Sequence, residues 1–141
     1  MKLALAPTRG VEFQLREIGT ALDNNLTFED NFKLPTAVVA TQSGSGTFSW
    51  LLNESKLVQL TITTSAGFTI DYSTNGSVAL GSIVIVDILN STGGAMGTVT
   101  FSAQFKTAGA FTSPANAKRR TITFYYDGSN LVEIARSGAD I

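Results

Sequence analysis

Leu57-Val58-Gln59-Leu60-Thr61-Ile62 places Val58, Leu60 and Ile62 on one phase and Leu57, Gln59 and Thr61 on the other. A two-residue period is that of a β-strand, whose successive side chains leave opposite faces; like-facing positions of a helix fall three or four apart. The pattern extends in both directions. Upstream, Val11, Phe13 and Leu15 alternate with Glu12, Gln14 and Arg16, and Phe48, Trp50 and Leu52 alternate with Thr47, Ser49 and Leu51. Downstream, Phe68, Ile70 and Tyr72 continue it. Val99, Phe101, Ala103 and Phe105 then alternate with Thr98, Thr100, Ser102 and Gln104, and Ile122, Phe124 and Tyr126 with Thr121, Thr123 and Tyr125. Threonine on the outward phase suits a strand, because its branched Cβ fits the pleated surface.

Turn clusters separate these runs: Gln42 to Gly46, Asn53 to Ser55, Ser65 to Gly67, Ser73 to Gly76, Asn90 to Gly94 and Asp127 to Asn130. Each is built of residues that tolerate positive φ or bond their own backbone. The run Gly81 to Leu89 is different. Ile83, Val84, Ile85, Val86, Ile88 and Leu89 are apolar on both phases, which predicts a central strand covered on both faces. Short strands at this spacing, with no helical stripe after residue 35, predict an all-β body: an antiparallel β-sandwich of jelly-roll type. The shared phase assigns its core to Phe48, Trp50, Leu60, Ile62, Phe68, Ile70, Ile85, Phe101, Phe105, Ile122 and Phe124. No repeat with a period of 20–50 residues is visible in the sequence.

Residues 1–35 have another texture, holding Glu12, Glu17, Asp23, Glu29 and Asp30 among thinly spread apolar residues. They are expected to form an extended N-terminal arm, with a boundary near Pro35 and the sandwich over 36–141. A short helix around Glu17 to Leu22 is a further expectation. The start, MKLALAPTRG, is too short in its apolar stretch for a signal sequence and reads as mature chain.

Composition narrows the function. The 141 residues carry ten basic against eleven acidic side chains, a net charge of −1, so no global field draws nucleic acid or an anionic membrane. No Cys and no His are present, which excludes disulfides, thiolate sites, imidazole-ligated metals and Ser-His or Cys-His nucleophile pairs. No apolar run approaches the roughly 18 residues that span a bilayer.

Glycoside hydrolysis needs only two carboxylates and survives this filter. Glu54, Asp71, Asp87, Asp127 and Glu133 are the candidates in the body, and no spacing singles out a pair. Asp87 interrupts an apolar run, so it is expected to be ion-paired. Leu22 to Asn31 gathers oxygen ligands suited to calcium but lacks the calcium-loop spacing, and turn chemistry explains it better. Lys118-Arg119-Arg120 is the only basic cluster; it reads either as a charged strand edge or as a contact to the acidic arm of another subunit. Trp50, Tyr72, Tyr125 and Tyr126 could form a sugar platform, but Trp50 and Tyr126 lie on the core phase, and only Tyr125 is plainly outward.

From about Gly46 to Arg136, the order of elements resembles the C-terminal β-domain of virion surface proteins of tailed bacteriophages: tail fibres, spikes and capsid decoration proteins. The resemblance rests on the Trp50 strand, Leu57 to Thr63, Gly67 to Ile70, Asn75-Gly76, Ile83 to Leu89, Gly93-Gly94 before Val99, and the ending Arg120 to Ile134 with its Tyr126-Asp127-Gly128-Ser129-Asn130 turn. Family members often carry Trp after that turn. Leu131 and Val132 stand here, so that Trp's role does not carry over.

The resemblance implies a non-enzymatic virion structural protein, a homotrimer, with no cofactor and no bound metal. Its partner would be the major capsid protein or a neighbouring virion protein, its place the capsid surface after synthesis in the host cytoplasm. A chain this small, taken as complete, fits a capsid decoration (cement) protein better than a fibre. The alternative is a small tail, head-fibre or receptor-binding component recognising a host surface glycan. The expected capsid or subunit interface is Leu3, Leu5, Val11, Phe13 and Leu15 of the arm with Lys118, Arg119 and Arg120 of the body.

Overall fold

The structure, a computed structural model, describes residues 37–141. The arm, the boundary near Pro35, the Glu17 to Leu22 helix, the Leu22 to Asn31 cluster and the interface residues Leu3, Leu5, Val11, Phe13 and Leu15 lie outside the described residues.

Among the described residues all regular structure is β: β1 (Val38–Gln42), β2 (Gly46–Leu51), β3 (Leu57–Ile62), β4 (Phe68–Ser73), β5 (Ile83–Asn90), β6 (Val99–Phe101), β7 (Phe105–Lys106), β8 (Arg119–Tyr126) and β9 (Leu131–Arg136). They form a six-stranded sheet in the order β1-β3-β5-β8-β9-β7 and a three-stranded sheet in the order β2-β4-β6. The chain crosses from one sheet to the other at every step from β1 to β6. Each strand therefore lies parallel to the strand two places earlier, and β1/β2, β3/β4 and β5/β6 stack as three coils.

The all-β expectation holds, and the antiparallel jelly-roll arrangement is corrected. Only β5/β8 and β8/β9 pair antiparallel, while the other five pairings are parallel. Side-chain alternation has a period of two in either direction, so it fixes which face a residue occupies and not the direction of its neighbour. The coils also make a structural repeat that the sequence does not display. Val38 aligns with Val58, 20 residues on, whereas Val58 aligns with Val86, 28 residues on. Unequal connections, short between β1 and β2 and long between β4 and β5, remove any constant period.

Two further differences concern phase and continuity. Ile85 is not in the core: β5 turns Val84, Val86 and Ile88 inward, fully buried, and leaves Ile83 48% and Ile85 36% exposed. The run Val99 to Phe105 is not one strand. After β6 the Ser102 amide bonds the Ile70 carbonyl, a turn follows, and the Phe105 amide bonds the Ser102 carbonyl as the chain enters the other sheet.

The core lies between the two sheets. Val58, Leu60, Ile62, Ile122, Phe124 and Leu131 come from the larger sheet and Trp50, Phe68, Ile70, Tyr72 and Val99 from the smaller. At one end the aromatic rings of Trp50, Tyr72, Phe101, Phe105 and Phe124 meet with centroids 5.1–6.1 Å apart, in the tilted and edge-on arrangements the ring quadrupole favours. Their polar handles are satisfied. Trp50 Nε1 donates to the Ser55 carbonyl at 3.2 Å, and the Tyr72 hydroxyl donates to the Ser129 carbonyl at 3.2 Å.

Candidate functional site

From Thr107 to Asn116 the backbone bonds no strand backbone, so side chains from β5, β8, β9 and the C-terminus supply partners; the Ala117 amide then bonds the Asn90 carbonyl of β5. Glu133 accepts from the Ala108 amide at 2.7 Å and pairs with Arg136, whose guanidinium also donates to the carbonyls of Gly109 and Ala110. Asp140 accepts from the Ala115 amide at 2.9 Å and from Arg120 Nε at 2.6 Å, and Arg120 reaches the Thr112 carbonyl. Asn90, fully buried at the end of β5, donates to the carbonyls of Pro114 and Gly94 and accepts from the amide and hydroxyl of Thr92. No buried side-chain polar atom among the described residues lacks a partner.

These contacts account for the basic cluster. Arg119 is ion-paired with Asp87, and Arg120 with Asp140. Lys118 is exposed and stands next to Ala117, whose φ of 60° puts a residue with a Cβ in the left-handed region. Two of the three positive charges are thus matched within the chain. Asp140 was not among the residues that sequence reasoning weighed; its signal was a carboxylate near the end of the chain, with nothing in the spacing to join it to Arg120.

The other carboxylates are placed as follows. Asp87 is paired, as its position in an apolar run predicts. Asp71 accepts from the Ser102 hydroxyl at 2.6 Å. Asp127 caps its own turn, accepting from the amides of Asn130 and Ser129, and Gly128 supplies the positive φ (99°) that the β8–β9 turn requires. The amide of Asn130, then that of Ser129, holds the Asp127 carboxyl below its ordinary range. Arg136 does the same for Glu133, and the Ala115 amide followed by Arg120 for Asp140. Burial, reinforced by Tyr126, Asp127 and Asp71, pushes the Tyr72 hydroxyl up to about 12. Among the described residues no group of three or more acidic residues converges on a site for a metal ion.

Among the described residues, what remains for recognition is the outer faces of the two sheets, and they are unlike. On the three-stranded sheet Thr47, Thr69 and Thr100 stand in register across β2, β4 and β6, followed by Ser49 and Asp71 in the next outward row. The threonines, with Gly46, Gly67, Phe68 and Thr98, line an open groove of about 360 Å³. The outer face of the six-stranded sheet is apolar at one end. Ile83, Tyr125 and Val132 form one cross-strand row and Leu57, Ile85 and Thr123 the row beside it. Tyr125 is where its phase placed it, outward, and it belongs to this apolar patch. Sequence reasoning missed the patch because it took both phases of Ile83 to Leu89 as covered.

Comparison with family models, with curated proteins and with solved structures returned no match to this chain.

Proposed function

We propose that the protein is a bacteriophage virion structural protein, a capsid decoration subunit that binds the head surface as a homotrimer and catalyses nothing. The observation that carries this reading is the use made of the acidic groups. Asp71, Asp87, Asp127, Glu133 and Asp140 each bond a partner within the body, and Glu54 alone has no such bond among the described residues. A glycosidase keeps two carboxyl groups facing one cleft, one of them ready to donate a proton. Here the carboxylates fix turns and loops instead, which supports a body whose task is rigidity and contact. The resemblance in strand order and in the Tyr126 to Asn130 turn supplies the virion context. In this reading the major capsid protein or a neighbouring virion protein is the partner, and the arm, with Leu3, Leu5, Val11, Phe13 and Leu15, makes the attachment.

The Thr47-Thr69-Thr100 groove favours a second reading, a tail or head-fibre component that binds a hydroxyl-rich host glycan. The groove's one aromatic side chain, Phe68, is buried in the core, so the groove offers hydroxyls without a stacking platform. One experiment separates the two. Purified protein is titrated onto isolated heads that lack it and, in parallel, onto host cells and their surface polysaccharide. Saturable binding to heads supports the decoration role; binding to cells or polysaccharide alone overturns it in favour of the glycan-binding component.

A further inference from the structure

Five asparagines lie among the described residues, and four of them share a feature that the fifth lacks. An asparagine side chain is chemically labile where the amide nitrogen of the next residue is free to attack its Cγ, and a nitrogen whose proton is held by a carbonyl is not free. The amides of Glu54, Ser91, Ala117 and Leu131, which follow Asn53, Asn90, Asn116 and Asn130, donate to the carbonyls of Leu51, Ile62, Asn90 and Gln104 at 2.8–3.1 Å. The exception is Asn75, in the exposed turn after β4. Its neighbour's amide, that of Gly76, has no acceptor among the described residues, and Gly76 brings no Cβ to crowd the approach.

A second observation concerns the atom under attack. The Asn75 amide donates to Asn53 Oδ1 at 3.1 Å, which leaves Asn53 Nδ2 as the donor to Asn75 Oδ1, at 2.5 Å. Asn75 Oδ1 is the oxygen that takes up negative charge when Cγ becomes tetrahedral, so Asn53 Nδ2 stands where an oxyanion donor acts. The geometry points to Asn75-Gly76 as a site of spontaneous covalent modification, at which Asn53 assists closure of a succinimide. A base removes the Gly76 amide proton, the nitrogen bonds Asn75 Cγ, and the Cγ–Nδ2 bond breaks as Nδ2 takes up a proton and leaves as ammonia. Water then opens the five-membered ring at either carbonyl, giving aspartate or isoaspartate, and nothing is oxidised or reduced. Each event takes the formal net charge of the chain from −1 to −2, and the isoaspartate product adds a methylene to the backbone between β4 and β5. Asp127-Gly128 does not share the chemistry: Asp127 accepts from the amides of Ser129 and Asn130 as a carboxylate, a poor target for a nucleophile.

The test incubates the full chain at mildly alkaline pH and follows it by isoelectric focusing, by released ammonia and by mass spectrometry of its peptides. The expected result is an acidic form carrying both aspartate and isoaspartate in place of Asn75, formed at a rate that rises in proportion to hydroxide, while Asn90, Asn116 and Asn130 stay intact in the same digest. Gly76→Ala should fold as wild type, because an added Cβ meets only Asn53 Nδ2, at 3.8 Å, and the backbone there is not left-handed. It should slow the modification about tenfold or more by crowding the nucleophile. Asn53→Asp keeps an acceptor for the Asn75 amide but removes the donor and sets a negative charge beside the forming oxyanion, so it should slow the reaction as well, with its melting temperature kept. Asn75 left intact, modification spread equally over the other described asparagines, or equal rates in wild type and Gly76→Ala would overturn the site; a wild-type rate in Asn53→Asp would overturn the part given to Asn53.

Discussion

Gly97 lies against Ala66 so closely that a Cβ on Gly97 would stand 2.0 Å from the Ala66 carbonyl oxygen and 2.6 Å from the Gly67 amide nitrogen. The two segments are equivalent bends of successive coils, one leading into β4 and the other into β6. All the atoms in the way are backbone, so neither bend can yield without parting the coils. Gly97→Ala is therefore expected to cost at least about 3 kcal/mol, at or beyond the upper end of ordinary overpacking. Gly94→Ala, a few residues away with open space around it and no positive φ, should be neutral or slightly stabilising. Urea unfolding of the two variants checks the coil stacking; equal stabilities would show that the bends do not touch.

The phase of β5 gives a second expectation. Ile88→Ala removes a fully buried side chain and should cost about 2–5 kcal/mol. Ile85→Ala, on the outer phase, should cost under about 1 kcal/mol when measured on dissociated protein. Chemical denaturation at low protein concentration compares them, and a reversal of the order would restore Ile85 to the core.

Asn90 holds three backbone groups of two loops at once. Asn90→Ala leaves the Pro114 and Gly94 carbonyls and the Thr92 amide without that partner, an expected loss of about 2–3 kcal/mol. Hydrogen exchange should rise first in Ser91 to Gly94 and Thr112 to Lys118. Uniform exchange across the whole body would mean that Asn90 does not act on those loops in particular.

Stability should fall at both ends of the pH scale, for opposite reasons. Asp127, Glu133 and Asp140 have folded-state values below their unfolded ones, so their contribution is complete above about pH 4–4.5 and is lost as pH falls through the lowered values. Tyr72 is raised to about 12, so its contribution is complete below the ordinary tyrosine value near 10 and is lost as pH rises toward 12. Melting temperature against pH for wild type, Glu133→Gln and Tyr72→Phe resolves the two limbs. Glu133→Gln should flatten the acid limb and Tyr72→Phe the alkaline one; limbs unchanged in both variants would contradict these assignments.

Much of the fold was legible because one face of most strands is buried. Val58, Leu60, Ile62, Ile70, Ile122 and Phe124 follow from alternation alone, and the Asp127 to Asn130 turn from its own side-chain chemistry. Strand direction was not legible, since a parallel coil and an antiparallel sandwich place Leu60 and Ile70 on the same faces. Ile85 was misplaced for a physical reason: β5 is apolar on both phases, so alternation alone does not say which phase faces the core, and an apolar residue on the outer face has the same sequence signature as a buried one. Asn90 looked like an ordinary turn residue, and its role depends on Pro114, 24 residues away. The pairing of Arg119 with Asp87 was half visible, in the need of a carboxylate amid apolar residues for a cation; which cation was a matter of register between β5 and β8.

The protein's proposed place on the head surface is open to cryo-electron microscopy of the purified phage particle. The expected result is protruding density on the capsid exterior into which the two-sheet body fits, in three copies about a local threefold axis, and its loss from particles lacking the gene. Density for the body on the tail alone, or particles without the protein, would contradict it.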